Sequence, residues 1–529
     1  MLNAIANRVI HNDKHHTTRN GLLDRDFAQN EHKSWKIKNN VCGEPKFMTS
    51  SPRSSEAIAP KRLNFLTKLA FGAGDMGTGM TANLVAFSFL AFLTNVAGLS
   101  PGKASLILVI GKIWDAINDP LVGFLSDRTR SRWGRRHIWM LMGSIPFGIS
   151  FGLLWFVPGS GISENLKFAY YLVVSIIFFT TYTTVNLPYA AMTPELTQDY
   201  DERTTLNSFR LAFSLTGAIL GLVLGAVMAQ LIPDDPRQQF FVLGVTCGVI
   251  SILPLYLCIW GTRSHVKTGE AALQIEDDSD ANLTVKQQFK ILLNNRPYLF
   301  VIGIYLTSWL ALQITATIIP FFVVNWMQLD SFFLVALAVQ GAAIPLLFVC
   351  SAISQKLGKR GLYGLGMVAW ILIQSSLFFL QPGQTTLLYA LALAASFGVA
   401  TAYVVPWSML PDVIELDELR TGRRREGVFY SFMTLLQKLG LALGIFLVGQ
   451  ALEFAGFVSA TPGEAPPPQP ESALLAIRIA IGPLPTICLI IGLVLVYFYP
   501  LTRHVHADIL LKLNERKRQA ALDKEQEAN

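Results

Sequence analysis

Long apolar runs separated by short polar ones fill the chain from about residue 66 to residue 499. A helix needs about 20 mostly apolar residues to cross the hydrocarbon core of a bilayer. Runs of that length predict helices near 66–94, 104–126, 137–157, 166–191, 206–231 and 238–261. After a polar stretch, six more are predicted near 297–326, 331–353, 362–380, 386–410, 428–452 and 475–499. The pattern is that of an all-α integral membrane protein with twelve transmembrane helices. It divides the chain into a polar, disordered tail 1–63, a first set of helices 64–261, a central linker 262–296, a second set 297–500 and a tail 501–529. The linker contains Glu276-Asp277-Asp278-Ser279-Asp280.

Composition strengthens this picture. The chain of 529 residues is 52% hydrophobic and 15% charged, with mean hydropathy +0.42. Soluble domains carry about 25% charged residues, spread along the chain. Here the charge collects in both tails and a few loops. Loop 128–136 holds Arg128, Arg130, Arg132, Arg135 and Arg136; loop 354–361 holds Lys356, Lys359 and Arg360; loop 411–427 holds Arg420, Arg423, Arg424 and Arg425. The alternate loops offer only Lys103, Lys167 and Arg237. Basic loops stay cytoplasmic, so both termini are expected inside and the Pro-rich segment 462–470 outside. The net charge of +7 is thus a topology signal, and nucleic acid is excluded as a partner. The first 60 residues lack an apolar h-region and do not read as a secretory signal. The five cysteines, Cys42, Cys247, Cys258, Cys350 and Cys488, form no close pairs and read as packing residues.

One internal echo suggests two similar six-helix halves. Pro188-Tyr189 is followed by Met192, Pro194 and Glu195; Pro406-Trp407 is followed by Met409, Pro411 and Asp412. Both stretches close a predicted span and open a cytoplasmic loop. Parallel halves with a solute site between them near the midplane are a recurrent transporter plan.

Charges inside the spans are the candidate chemistry, because ionised groups are costly in hydrocarbon. They are Asp75, Lys112, Asp115, Asp119, Arg210 and Lys438. Residues three and four apart share a helix face, so Lys112, Asp115, Asn118 and Asp119 form one polar stripe, with Ile113 and Ile117 opposite. Two carboxylates one turn apart repel unless a cation sits between them or a proton neutralises one. Such a pair suits H⁺, or with neutral oxygens a hard cation such as Na⁺. Pro120 frees the carbonyl of Ala116, and Thr181, Thr183, Thr184 and Asn186 offer further oxygens. The alternative is that Asp115 and Asp119 simply pair with Lys112, Arg210 or Lys438. Asp75, in the run Gly72-Ala73-Gly74-Asp75-Met76-Gly77-Thr78-Gly79, is either bonded to a neighbouring helix at a tight contact or touches solute. Trp114, Trp309, Trp370 and Trp407 can stack on a sugar ring or serve as core and interface anchors. Asp127 among the loop arginines suits a salt-bridged latch. The chain has no P-loop, metal-ligand cluster or nucleophile elbow, so ATP-driven pumping and enzyme catalysis are not expected.

The run Trp114-Asp115-Ala116-Ile117-Asn118-Asp119-Pro120 with Ser126-Asp127-Arg128-Thr129-Arg130-Ser131-Arg132-Trp133-Gly134 resembles the glycoside–pentoside–hexuronide:cation symporters, the melibiose-permease family. Gly123 to Arg136 is similar to the signature loop of the wider major facilitator superfamily. Further matches are Pro188-Tyr189, Leu196-Thr197-Gln198-Asp199-Tyr200-Asp201-Glu202-Arg203 and Thr421-Gly422-Arg423-Arg424-Arg425-Glu426-Gly427, so the likeness covers roughly residues 60 to 500. The resemblance implies a major facilitator fold and alternating-access symport in the plasma (inner) membrane, by a monomer with no cofactor beyond a coupling Na⁺ or H⁺. It implies a cation site at Asp115, Asn118, Asp119 and Thr183, with Lys112, Lys438 and Arg210 as ion-pair or coupling residues. It also implies solute contacts at Asp75, Asn186, Tyr189, Arg210 and Trp407, and a gate loop with Asp127, Arg128, Arg135 and Arg136. Two family carboxylates that grip sugar hydroxyls align with Gly79 and Asn186, and a family tryptophan with Ala190. The expected solute is a sugar or glycoside, the alternative a lysolipid or other non-sugar molecule on the same fold. A non-transporting sensor is a further reading, against which the intact aspartate pair argues.

Overall fold

A computed structural model describes residues 63–159, 161–197, 199–269, 285–423, 425–460 and 467–528. The tail before residue 63, Cys42, the acidic run 276–280, Arg424 and residues 461–466 of the Pro-rich segment lie outside the described residues. Among the described residues there are helices and no strands.

The first apolar stretch is two helices, α1 (Phe65–Ala73) and α2 (Met76–Asn95), separated at Gly74–Asp75. The Asn64 side chain caps α1 by accepting from the Thr67 N–H at 2.7 Å. The glycines of this stretch serve packing. A Cβ at Gly217 of the facing helix would lie 2.0 Å from the Met76 carbonyl oxygen, and one at Gly79 would lie 2.5 Å from that of Ser214. Backbones that touch this closely exclude any side chain at those positions. Then come α3 (Pro101–Arg128), α4 (His137–Leu154), α5 (Glu164–Ala190), the short α6 (Thr193–Leu196), α7 (Tyr200–Leu231) and α8 (Pro236–Gly269). Proline at the first turn of α3 costs no hydrogen bond there and starts the helix. Part of the linker expected over 262–296 is helical: α8 runs on to Gly269, and α9 spans Val285–Asn294.

The second set begins with α10 (Arg296–Phe321), which widens into a π-helical turn at Phe322–Trp326. Next are α11 (Phe333–Phe379), α12 (Thr385–Thr421), α13 (Glu426–Phe454), α14 (Glu471–Ile481), α15 (Pro483–Tyr497) and α16 (Arg503–Ala528). Left-handed Gly422 (φ 72°) ends α12. The last predicted span, 475–499, is broken at Gly482, and the tail after 501 forms a helix.

Ten helical stretches are long and apolar enough to cross a bilayer. Two differences separate that number from the twelve expected. The charge-bearing α3 is not among the ten, and α11 runs through both 331–353 and 362–380 as a single element of 47 residues. At 1.5 Å per residue it would be about 70 Å long if straight. It is not straight. Gly358 has φ 73° and ψ 167°, a conformation that suits only glycine. Eight residues to either side, Cys350 and Gly366 meet the same partner, Thr401 of α12: Cys350 Sγ lies 3.6 Å from its hydroxyl, and a Cβ on Gly366 would lie 2.4 Å from it. The element therefore doubles back at Gly358.

Helices α1–α8 pack mainly among themselves, with α4 on α5 and α8, α2 on α7, and α3 on α5. Helices α10–α15 do the same, with α11 on α12 and α10 on α13 and α15. The main pairs that join the groups are α3 with α13, α2 with α10, and α7 with α11. At the end opposite the arginine-rich loops, the Gly102 N–H donates to Glu453 Oε2 at 3.0 Å, and Ser459 donates to the Leu99 carbonyl at 2.7 Å. A Cβ on Gly449 would lie 2.3 Å from that of Ser105, so α13 and α3 are in close contact there.

Candidate functional site

The helical register of α3 sets its polar stripe. Asp115 and Asn118 are buried, whereas Ile113 and Ile117 on the other face are exposed where a bilayer would be. From α5, the Thr183 hydroxyl lies 3.0 Å from Asp115 Oδ1 and 3.2 Å from Asp119 Oδ1, within donating reach of both. From α13, in the other group of helices, Lys438 Nζ lies 3.0 Å from Asp115 Oδ2 and closer still to Asp119 Oδ2. Lys112 Nζ stands 3.7 Å from Asp115 Oδ2 and 4.3 Å above the Phe179 ring. Two carboxylates thus face two ammonium groups, and the cluster is formally neutral. Asp115 is 2% exposed and Asp119 is 30% exposed, so Asp119 is the more accessible of the two. The Asn118 amide nitrogen is buried without a partner, as is the Asn186 amide oxygen on α5. Trp114 is fixed by its indole N–H, which donates to Thr180 at 2.9 Å.

A second cluster sits at the break between α1 and α2. Thr78 donates to Asp75 Oδ1 at 2.5 Å, and Arg210 Nε donates to Asp75 Oδ2 at 2.9 Å. The guanidinium lies 5.4 Å from the centre of the Tyr189 ring. Of the three basic partners that the sequence offered for Asp115 and Asp119, Arg210 pairs with Asp75 and leaves those two acids to the two lysines. The physical reason is reach, since Asp75 lies on the helix that α7 packs against. Tyr189 is fully buried, and its hydroxyl donates to the Phe71 carbonyl at 2.8 Å, so it holds α1 in place.

Trp407 belongs to an aromatic cluster that sequence reasoning missed. Tyr305 lies edge-on to it at 5.8 Å, and Tyr430 stacks at 6.2 Å. Trp309 lies 5.8 Å from both Tyr305 and Tyr403, and its indole N–H donates to the Gln437 carbonyl beside Lys438 at 3.1 Å. The signal was available: Tyr305 and Trp309 are four residues apart, as are Tyr403 and Trp407. Trp370 is buried against Gly398 in the core, away from this cluster.

At the arginine-rich end, Arg136 Nη2 lies 2.5 Å from Asp127 Oδ1 and Arg136 Nε lies 3.0 Å from Glu195 Oε1. Arg135 Nη2 lies 2.6 Å from the same Glu195 oxygen, and Arg128 stacks 3.8 Å above Phe124. Glu195, 2% exposed, is the anchor that the sequence reading left unassigned. Its echo behaves alike: Lys359 Nζ lies 2.6 Å and 2.8 Å from the two Asp412 oxygens. The four cysteines among the described residues are buried and free.

A protein-family model described as MFS/sugar transport protein matches residues 70–503. A Synechocystis protein called uncharacterized symporter sll1374 is 46% identical over 538 residues, covering 88% of this chain and 99% of its own. The sodium-dependent lysophosphatidylcholine symporter 1 of Xenopus tropicalis is 28% identical and covers 85% of this chain and 90% of its own. The putative glycoside/cation symporter YagG of Escherichia coli is 28% identical, covering 83% and 93%. The inward open structure of the xylose transporter XylE from E. coli superposes with TM-score 0.53 at 14% identity, covering 83% of this chain and 97% of that one.

Proposed function

This chain belongs to the MFS/sugar transport protein family, and from that premise we propose that it is a cation-coupled symporter in which Asp115 and Asp119 bind the coupling ion. It is a multi-pass membrane protein, read as twelve crossings once the doubled-back α11 and the charged α3 are counted. The arginine-rich loops and both termini face the cytoplasm, and the bilayer is the plasma membrane.

One observation carries the mechanism: Lys438, from the second group of helices, reaches both aspartates of the first. Its ammonium occupies the place a coupling cation would take. Two carboxylates and the Thr183 hydroxyl, with the Asn118 amide beside them, are hard donors suited to Na⁺. Na⁺ or H⁺ arriving at Asp119 would compete with Lys438 and loosen the tie between α3 and α13. When the ion leaves, Lys438 neutralises the pair again and the empty carrier can return. Solute binds between the halves, with the Asn186 amide and the Trp407 cluster as its contacts, while Asp75 and Arg210 serve each other. Reciprocal coupling follows if ion and solute favour the same conformation.

The solute is a sugar or glycoside. A lysolipid-like solute is favoured instead by one observation: Gly79 is packed against Ser214, so no sugar-gripping carboxylate could stand there. Uptake by proteoliposomes, given labelled glycosides and lysophosphatidylcholine under imposed Na⁺ or proton gradients, separates these readings. Asp119→Asn should abolish the cation-stimulated part of uptake and leave a folded, monodisperse protein. Unchanged stimulation in that variant would refute the ion assignment.

A further inference from the structure

At the end opposite the arginine-rich loops lies a cavity of about 1260 Å³, built from the ends of α2, α7, α8, α10, α11, α12 and α14. It is separate from the Asp115–Asp119 cluster. Six amide side chains line it: Gln469 is hydrogen-bonded to Val458 and Pro467, and the other five are Asn95, Gln230, Gln239, Asn325 and Gln328. None of the five is used in a hydrogen bond to another described residue. The Asn325 side-chain oxygen, Oδ1, is buried without a partner, and so is Nε of Arg237, which also lines the cavity. Buried polar atoms are ordinarily bonded, so each orphan marks a place for a ligand or water. Gln328 has φ 56°, the one positive value outside glycine among the described residues, and it lies two residues after the π-helical turn. The floor is aromatic: Phe240 and Phe333 lie 6.1 Å apart, and the Phe333 ring is wedged on Gly225, where a Cβ would lie 2.4 Å from it.

We propose that this cavity is a second solute site, which receives a neutral polyhydroxylated solute from outside before it reaches the central cleft; the inference rests on the symport reading. The chemistry selects the class. An amide offers a donor and an acceptor side by side, which matches adjacent hydroxyls. Phe240 and Phe333 are themselves buried, and half-buried Tyr389 is the lining ring that can meet the apolar C–H face of a sugar. Asp234 and Asp330 line the cavity together with Arg237, so the site carries no net positive charge that would single out a phosphate. The volume exceeds what a small-molecule site requires, about 300 Å³ or more.

The test uses full-length protein and labelled maltose, melibiose and sucrose as probes. Equilibrium binding is measured to purified Asp119→Asn protein, whose ion coupling is disabled. Sugar binding should persist there and weaken about tenfold when Gln239→Ala and Asn325→Ala are added, the loss expected for two neutral hydrogen bonds. In vesicles the Gln239→Ala/Asn325→Ala protein should show KM raised about tenfold, an unchanged maximal rate and intact cation stimulation. Asn325→Gln, which keeps the amide, should restore part of the affinity and shows that lost binding is not lost folding. Sugar binding unaffected by the double substitution overturns the inference, as does absence of sugar binding to the Asp119→Asn protein. Failure of cation stimulation in wild-type vesicles overturns the symport reading alone. Competition by lysophosphatidylcholine in place of sugars overturns the solute class.

Discussion

Lys438 is the residue on which the proposed ion site turns, because among the described residues it contributes the contact between α13 and the aspartates of α3. Lys438→Gln removes the internal cation and leaves Lys112 as the sole ammonium near Asp115. Exchange of labelled for unlabelled solute, which needs no empty return, should continue. Net uptake should fall at least about tenfold, because the empty carrier must then return with an unpaired carboxylate. Equal losses in exchange and net uptake would sink this role. Asp75 and Arg210 make a contrasting pair. Half-buried Arg210 is bonded to a carboxylate that is 11% exposed, so Asp75→Asn should lower the thermal midpoint in detergent well beyond what Lys103→Ala does. The Lys103–Glu164 pair is more than a third exposed on both sides, and exposed pairs contribute about 0–1 kcal/mol. Size-exclusion melting curves of the two variants decide the order. At this scale the sequence was partly legible. The Asp115–Asn118–Asp119 stripe follows from helical spacing alone. The partner of Arg210 did not, because Asp75 is 135 residues away and several acids were in competition.

At the scale of elements, helix positions were readable wherever an apolar run carried few charges. Breaks within runs were harder to see. The interruption at Gly74–Asp75 goes with close packing of Gly74 against Tyr189, which composition does not encode, whereas the turn at Gly358 has open space around its glycine and falls in the basic loop 354–361 that the sequence predicts. The tail after residue 501 was read as polar, yet Ile509 and Leu513 of α16 are buried one turn apart. On the same helix Lys517 pairs with Glu418 of α12 at 3.0 Å. Charged residues on its remaining faces hid that two-residue seam from a hydropathy reading. The contact of α3 with α13 gives the sharpest element-scale prediction. Gly449 permits it, and Gly449→Leu would drive a branched side chain into Ser105 and the Pro101 carbonyl. That wedge should part the outer ends and favour the outward-open form. In a Cys42→Ala background, where the four described cysteines are buried, Ser459→Cys should then label with membrane-impermeant maleimide several-fold faster. An unchanged rate would mean that this contact does not close the outer end.

At the scale of the whole molecule, the two stretches of the sequence echo, Pro188–Glu195 and Pro406–Asp412, each end in an acid with basic partners. Each acid closes a cluster within its own group of helices: Glu195 holds Arg135 and Arg136, and Asp412 holds Lys359. Neither lies at the α3–α13 seam, where Lys438 joins the groups. The arrangement fits two bodies that are each internally braced and that rock about the central ion pair. Bracing and coupling should then be separable. Glu195→Gln leaves two arginines facing an amide, and Asp412→Asn does the same to Lys359, so each should lower the thermal midpoint. The two acids share no partner, and effects at independent sites add to within about 0.5 kcal/mol. The double variant should therefore lose about the sum of the single losses, while the Na⁺ or H⁺ concentration giving half-maximal uptake stays that of wild type. A double variant no worse than the weaker single one would mean that the bodies melt as one unit. A shifted cation dependence would mean that the braces belong to the ion site, and the rocking description would then have to be abandoned.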